Sequence, residues 1–192
     1  MPTSLTLYIA NRNYSSWSLR PWVLMRMLDI AFKERLVPFG GDADAFRAFS
    51  PTGKVPCLVS AGVAVWDSLA ITEYLAERHP GVWPREVLAR TWARCATAEM
   101  HSGFGVLRER CTFNCGIRVD LGPVPPALQS DLDRLDALWC EGLKKFGGPF
   151  LAGGDFCAVD AFFAPVAFRV QTYRLRLSDT ALAYATRLRE LA

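Results

Sequence analysis

Residues 5–22 read LTLYIANRNYSSWSLRPW, and their pattern sets the start of the fold. Apolar side chains alternate with threonine and tyrosine over Leu5–Ile9, which is typical of a half-buried strand. The polar segment 10–13 predicts a turn. Serines then precede apolar residues at three- and four-residue spacing, which predicts a helix whose first turn tolerates Pro21. The stretch therefore predicts a strand, a loop and a helix.

The following residues extend this unit to about residue 80. Alternation, prolines and helix-capping residues predict, in order, a strand at 32–38, a short helix at 43–49, strands at 54–59 and 63–66, and a helix that begins at Asp67-Ser68 and ends by His79. The order βαβαββα is typical of a small mixed sheet covered by helices.

Proline and glycine predict a domain boundary after this unit, at Pro80-Gly81 with Pro84 close behind. We therefore predict an α/β domain over residues 1–80, a linker at 81–86 and an all-helical domain over 87–192. Periodic apolar residues place helices at 86–110, 126–146, 155–170 and 179–192.

The composition of the chain argues against a nucleic-acid-binding, disulfide-rich, secreted or membrane-spanning protein. The 192 residues carry 22 basic and 19 acidic side chains, a formal charge of +3, without a basic run that would follow a nucleic acid backbone. Six cysteines are spread along a chain of ordinary apolar content, which favours reduced thiols over a disulfide framework. The amino terminus lacks a secretion signal and no charge-free segment is long enough to span a membrane. We predict a cytoplasmic protein with neither nucleic acid nor membrane as its partner.

Three motifs in this order resemble the glutathione transferase superfamily: a serine pair opening the first helix, Val55-Pro56 entering a strand, and Asp67-Ser68 opening a helix. The helical half that follows extends the resemblance over essentially the whole chain. It implies the glutathione transferase fold, a thioredoxin-like domain followed by an all-helical domain, and glutathione as co-substrate.

Residues 14–22 are similar to the serine motif of the zeta-like and related bacterial branches, in which the first serine of the pair is the catalytic hydroxyl. The resemblance implies this role for Ser15 with Ser16 beside it, and a register error of one residue would exchange them. Helix N–H groups and a donated hydroxyl hydrogen bond favour a thiolate over a thiol. The serine would thus donate to the sulfur of glutathione and would not itself be a nucleophile. Capping of the helix is the alternative role.

The other two motifs imply the rest of a glutathione site. Val55-Pro56 resembles the family's cis-proline dipeptide, whose backbone pairs in antiparallel fashion with the cysteinyl unit; an ordinary trans proline at a strand start is the alternative. Asp67-Ser68 matches the acidic-Ser pair that receives the charged γ-glutamyl end, although either residue could simply cap a helix. Lys54 is a candidate for the glycyl carboxylate.

We expect the electrophile to bind between the two halves, facing Ser15. Candidate pocket residues from both halves are Tyr14, Trp17, His101, Phe104 and Arg108. Packing is the alternative role for His101 and Phe104. Cys111 and Cys115 have no histidine beside them, so we predict no metal site.

A motif in the helical half bears on folding. Residues 153–163 resemble the segment that starts the family's buried sixth helix, where a serine or threonine caps the helix and an aspartate three residues on completes a capping box. Cys157 stands at the capping position and Asp160 at the third. A thiol is a weak acceptor, so we predict a cap poorer by about 1 kcal/mol.

The resemblance implies an enzyme that conjugates glutathione to small electrophiles, as in detoxification, or a glutathione-dependent isomerase, and it implies a homodimer. A branch that reduces disulfides is disfavoured because no cysteine precedes Cys57 and no Cys-x-x-Cys is present. The alternative to an enzyme is a glutathione-transferase-like module that binds a ligand or partner without catalysis.

Overall fold

Strand β1 (Leu5–Ile9) lies where the alternating sequence predicts it, with Leu5, Leu7 and Ile9 buried. It pairs in parallel with β2 (Phe32–Leu36) and antiparallel with β3 (Cys57–Ser60). The edge strand β4 (Val63–Val65) pairs with β3, which gives the sheet order β2-β1-β3-β4. The predicted mixed sheet of a thioredoxin-like unit is confirmed.

This computed structural model describes residues 4–40 and 44–191, which divide into two units, one ending at Val82 and the other beginning at Trp83. No helix within these ranges has the length and apolar character needed to cross a membrane.

Two helices cover the sheet of the first unit. Helix α1 (Ser16–Met27) connects the parallel strands β1 and β2, and α2 (Ser68–Ala76) follows β4 and packs against α1. Trp22 of α1 donates from its indole N–H to a Glu34 carboxylate oxygen at 2.7 Å. This bond fixes α1 to β2, the edge strand opposite β4.

The short helix predicted over 43–49 is wrong for its described part. Residues 44–49 form successive turns, with the Arg47 N–H donating to the Asp44 carbonyl three residues back. Ala43 lies outside the described residues. A segment this short forms too few helical hydrogen bonds to offset the cost of nucleating a helix.

The second unit is helical, and α6 is its centre. Nearly every residue of α6 is buried, including its internal Pro165, and it packs against both α3 and α7. The helices are α3 (Val87–Ser102), α4 (Gly105–Arg110), α5 (Pro126–Phe146), α6 (Ala158–Tyr173) and α7 (Asp179–Arg189).

The single helix predicted over 86–110 is wrong, because the chain breaks between α3 and α4. Phe104 adopts a left-handed conformation (φ 52°, ψ 43°), which ends helical hydrogen bonding. Arg108 donates to the His101 carbonyl at 3.0 Å, and the Asp131 carboxylate accepts the Leu107 N–H at 2.9 Å. The glycines on both sides of Phe104 were the signal for this break.

Gly103 makes a testable contribution to the break. A Cβ there would lie 2.7 Å from the Glu99 carbonyl oxygen, whereas a Cβ on Gly105 would meet nothing within 4 Å. We expect Gly103→Ala to lower the free energy of unfolding by about 1–3 kcal/mol, because the backbone must shift. Gly105→Ala, the matched control, is expected to be neutral or slightly stabilising because alanine favours the helix. Urea unfolding of both variants measures the difference, and equal effects would contradict it.

Asp160 holds the start of α6. Its carboxylate is fully buried and accepts three hydrogen bonds: from the Leu151 N–H at 3.0 Å, the Cys157 N–H at 3.0 Å and the Tyr184 hydroxyl at 2.8 Å. The Cys157 side chain in turn accepts the Asp160 N–H, and the two bonds together form a capping box. Burial raises the pKa of Asp160 to about 6. The Asp160 carboxylate therefore connects α6 by hydrogen bonds to the loop before it and to α7.

Candidate active site

Ser15 lies between the loop after β1 and the first turn of α1. Its backbone (φ −102°, ψ 88°) marks the N-cap position, yet its side chain forms no capping hydrogen bond. Instead its Oγ donates to Ser18 Oγ at 2.9 Å, and Ser18 Oγ also accepts the Ala10 N–H at 3.1 Å. Ser15 keeps 6% of its surface exposed. Its hydroxyl thus does not serve the helix cap, the alternative role considered for it.

Ser16 is the first residue of α1 and is 8% exposed. Within the described ranges, the Ser16 side chain has no hydrogen-bond partner. The two candidate hydroxyls therefore differ, because only Ser15 is connected to the interior of the unit through Ser18.

The Val55-Pro56 peptide bond is cis, as the resemblance implies. β3 begins after it, at Cys57, because proline has no N–H to donate to a strand ladder. Ser15 and Val55 share a cavity of about 240 Å³ in the first unit. The cavity is lined by Ser15, Trp17, Phe39, Phe46, Gly53, Lys54 and Val55.

Phe39 and Phe46 were not among the predicted site residues. Their ring centroids lie 5.9 Å apart, and Phe46 contacts Phe49 edge-on at 6.0 Å. Phe49 in turn stacks on Tyr8 of β1 at 4.2 Å. The sequence did carry a sign of this cluster, because three phenylalanines lie in the connection between β2 and β3. Apolar side chains in such a connection need a surface to pack on.

Trp17 and Tyr14 are placed differently around Ser15. The Arg20 guanidinium lies 4.1 Å from the centroid of the Trp17 ring, an i, i+3 cation–π contact that fixes the ring at the cavity. Tyr14 is half exposed and does not line the cavity.

Asp67 and Ser68 occupy the start of α2. The Asp67 carboxylate accepts the N–H groups of Leu69 at 2.9 Å and Ala70 at 3.5 Å, so it caps the helix. Ser68 has no exposed surface, and its hydroxyl lacks a hydrogen-bond partner among the described residues. Buried hydroxyls are normally paired, and a polar ligand at a helix N-terminus is one way to pair this one.

The candidates in the second unit lie at the break between α3 and α4. His101 is in the last turn of α3, Phe104 is buried with its left-handed backbone, and Arg108 donates to the His101 carbonyl. Arg108 therefore has a structural role, since it satisfies the open end of α3. A pocket that joins these residues to Ser15 stays a prediction.

All six cysteines are free. Burial raises the pKa of Cys111 and of Cys115 to about 11, and it raises the pKa of Cys57 and, most strongly, of Cys157. These four thiols stay protonated near neutral pH. Among residues 4–40 and 44–191, no group of three or more histidine, cysteine or acidic side chains is placed to hold a metal ion.

Known proteins resemble the chain in sequence and in fold. Residues 14–78 match the family described as "Glutathione S-transferase, N-terminal domain". The "Probable maleylacetoacetate isomerase" of Caenorhabditis elegans is 27% identical over 175 residues, which span 90% of this chain and 81% of that protein.

Two solved structures share the fold along almost the whole chain. A glutathione transferase homolog from Burkholderia gl BGR1 with bound glutathione superposes with a TM-score of 0.74 at 23% identity, covering 98% of this chain and 92% of its own. The maleylacetoacetate isomerase of Anaeromyxobacter dehalogenans superposes with a TM-score of 0.68 at 22% identity, covering 100% and 89%.

Proposed function

The chain belongs to the glutathione transferase superfamily, and on that basis we propose that its first unit binds glutathione and that Ser15 activates the glutathione thiol. The observation that carries the proposal is the Ser15 hydroxyl, which sits at a helix N-terminus, opens onto a cavity and is not used as a helix cap. A hydroxyl in this position can donate to a thiolate, and the positive end of α1 adds to the stabilisation.

The residues of this unit fit the three parts of glutathione. The backbone of Val55 would pair with the cysteinyl unit, which brings its sulfur to Ser15. Antiparallel pairing would then direct the glycyl end toward Lys54, whose ammonium would meet the carboxylate. The γ-glutamyl end would bind at the start of α2. The Asp67 carboxylate would meet its ammonium, and the Ser68 hydroxyl, which is buried in this structure, would have to turn outward to meet its carboxylate.

The chemistry supplied by bound glutathione is a soft thiolate nucleophile. Ser15 would hold the thiolate by one donated hydrogen bond, which lowers the pKa of the thiol. The rings of Trp17, Phe39 and Phe46 would exclude water from that hydrogen bond and strengthen it. The chain's own groups thus bind and orient glutathione and stabilise its thiolate, whose proton is released to solvent, and they form no covalent bond.

Titration of the bound thiol tests this function. We expect glutathione to bind the wild-type protein with a thiol pKa at least one unit below that of free glutathione, read from the ultraviolet absorbance of the thiolate. S-methylglutathione, which binds without a titratable thiol, supplies the baseline. Binding with an unshifted thiol pKa would leave a non-catalytic binding module as the better description.

The reaction itself is proposed as conjugation of a small electrophile, of the kind used in detoxification, or as glutathione-dependent isomerisation. The isomerase alternative is supported by the similarity to proteins named maleylacetoacetate isomerase. Turnover of aromatic halides and epoxides would support conjugation, whereas turnover of a maleyl substrate to its fumaryl isomer would support isomerisation.

We also propose that the protein is cytoplasmic and works as a homodimer. Each unit exposes large apolar side chains that a second copy could cover: Val63 in β4 and Trp66 directly after it in the first unit, and Val87 and Leu88 at the start of α3 in the second. We expect light scattering to give twice the mass of one chain. A mass equal to one chain at micromolar concentration would contradict the dimer.

A further inference from the structure

Ser18 carries a hydroxyl that the proposed function does not use. It lies in the first turn of α1, has no exposed surface, and faces the interior of the first unit. Within residues 4–40 and 44–191 its Oγ has two hydrogen-bond partners, the Ala10 N–H at 3.1 Å and Ser15 Oγ at 2.9 Å. Ser18 therefore connects the end of β1 to the proposed catalytic hydroxyl.

In the structure Ser15 donates to Ser18, and the opposite direction requires the Ser18 hydroxyl to turn until it aligns with Ser15 Oγ. Each hydroxyl has one hydrogen to donate and two lone pairs, and the hydrogen turns about the C–O bond to suit its surroundings. With Ser15 donating to Ser18, as in the structure, the Ser15 hydrogen is directed away from a ligand. With Ser18 donating to Ser15, the Ser15 hydrogen is released to point elsewhere.

A thiolate beside Ser15 selects the second direction. A charged acceptor binds a hydroxyl hydrogen more strongly than a neutral hydroxyl does. Ser15 would therefore turn its hydrogen to the sulfur, and its oxygen would be left to accept from Ser18. Ser18 can take the donor role once its hydroxyl has turned toward Ser15, because the Ala10 N–H occupies one of its lone pairs and leaves its hydrogen available.

We infer that Ser18 is a positioning residue for the thiol chemistry, the middle of a chain of donors that runs from the Ala10 N–H through Ser18 and Ser15 to the glutathione sulfur. This inference rests on the proposed function of Ser15. A hydroxyl that accepts a hydrogen bond is a stronger donor, because chained hydrogen bonds polarise one another. Ser18 also holds Ser15 Oγ in one position, so that only the Ser15 hydrogen has to turn when the ligand arrives.

A double-mutant cycle tests the inference. The pKa of the bound glutathione thiol is measured in the wild-type protein, Ser15→Ala, Ser18→Ala and the double variant. We expect Ser18→Ala to raise this pKa by about half a unit, roughly a threefold loss of thiolate at a pH below the pKa, since it removes the polarising bond and not the final donor. In the Ser15→Ala background the same change is expected to have no effect on the pKa.

Two further variants separate positioning from folding. Ser18→Thr keeps the hydroxyl and is expected to keep the wild-type pKa. Ser18→Cys puts a slightly larger and weaker donor in place, and its effect on the pKa is expected to match that of Ser18→Ala. Circular dichroism identifies any variant that fails to fold, and Ser18→Cys replaces Ser18→Ala in the cycle if the alanine variant is unfolded.

The outcomes are distinct. A shift of equal size with and without Ser15, or no shift from Ser18→Ala beside a clear shift from Ser15→Ala, would overturn the role of Ser18 and leave the proposed function standing. If Ser15→Ala itself leaves the thiol pKa unchanged, it is the proposed function that fails.

Discussion

Ser15→Ala is expected to lower the turnover of a glutathione-dependent reaction by about 10²–10³-fold. This is the usual effect of removing one hydrogen-bond donor that stabilises an anion in an active site. Glutathione affinity should change only a few-fold, because the parts of the site around Val55, Asp67 and Ser68 remain. The loss should therefore fall on kcat, and the pKa of the bound thiol should return toward its value in free glutathione.

Ser16→Ala is the matched control for this loss. The two serines are adjacent and similarly buried, but Ser16 has no hydrogen-bond partner among the described residues. We expect it to keep turnover within a few-fold of the wild-type value. If the large loss followed Ser16→Ala instead, the catalytic role would move by one residue. If neither variant lost turnover, a serine would not be the activating group.

Asp160→Ala is expected to lower the free energy of unfolding by about 3–5 kcal/mol at neutral pH. The substitution leaves the N–H groups of Leu151 and Cys157 and the hydroxyl of Tyr184 buried without an acceptor, and each such group costs about 1–3 kcal/mol. Asp155→Ala in the same loop is the control, because Asp155 is exposed. Its effect should stay within about 0.5 kcal/mol. Urea unfolding measures both, and a loss under 1 kcal/mol for Asp160→Ala would contradict this account.

The raised pKa of Asp160 also predicts how stability depends on pH. The folded carboxyl keeps its proton up to a pH of about 6, whereas the unfolded carboxyl releases it near the model value of 3.8. Between these values the folded state binds more protons, so the contribution of Asp160 to stability is full below the lower value and falls as pH rises through the upper one. The fall amounts to about 3 kcal/mol. Asp160→Asn, which does not titrate, should flatten the stability curve between pH 4 and 6, and an unaltered slope would contradict the assignment.

Sequence predicted those elements that depend on local pattern. Alternation fixed β1, and the Pro-initiated apolar repeat of α5 placed its ends at Pro126 and Phe146, as found. The missed features depend on contacts between distant residues. Packing of Phe49 on Tyr8 determines the shape of the connection from residue 44 to 49, and a capping arginine with a left-handed Phe104 divides α3 from α4.

The candidate site likewise has parts that local sequence motifs predict and parts that depend on contacts between distant residues. Ser15, Val55-Pro56 and Asp67-Ser68 were predicted from the order and spacing of three short motifs taken together. The bond from Ser15 to Ser18 was not predictable, because a serine at a helix start normally accepts a hydrogen bond from a backbone N–H group. Its existence depends on the backbone angles of Ser15 and on the position of Ala10 at the end of β1.

The buried thiols have a consequence for a protein that is proposed to handle electrophiles. Such a protein meets reagents able to alkylate its own cysteines, and alkylation requires the thiolate. Because burial raises the pKa of Cys57, Cys111, Cys115 and Cys157, we expect these sulfurs to react more slowly than the thiolate that the proposed site would hold. We therefore expect electrophiles to alkylate Cys95, exposed on α3, and then the half-buried Cys140 of α5, before the buried thiols of the core.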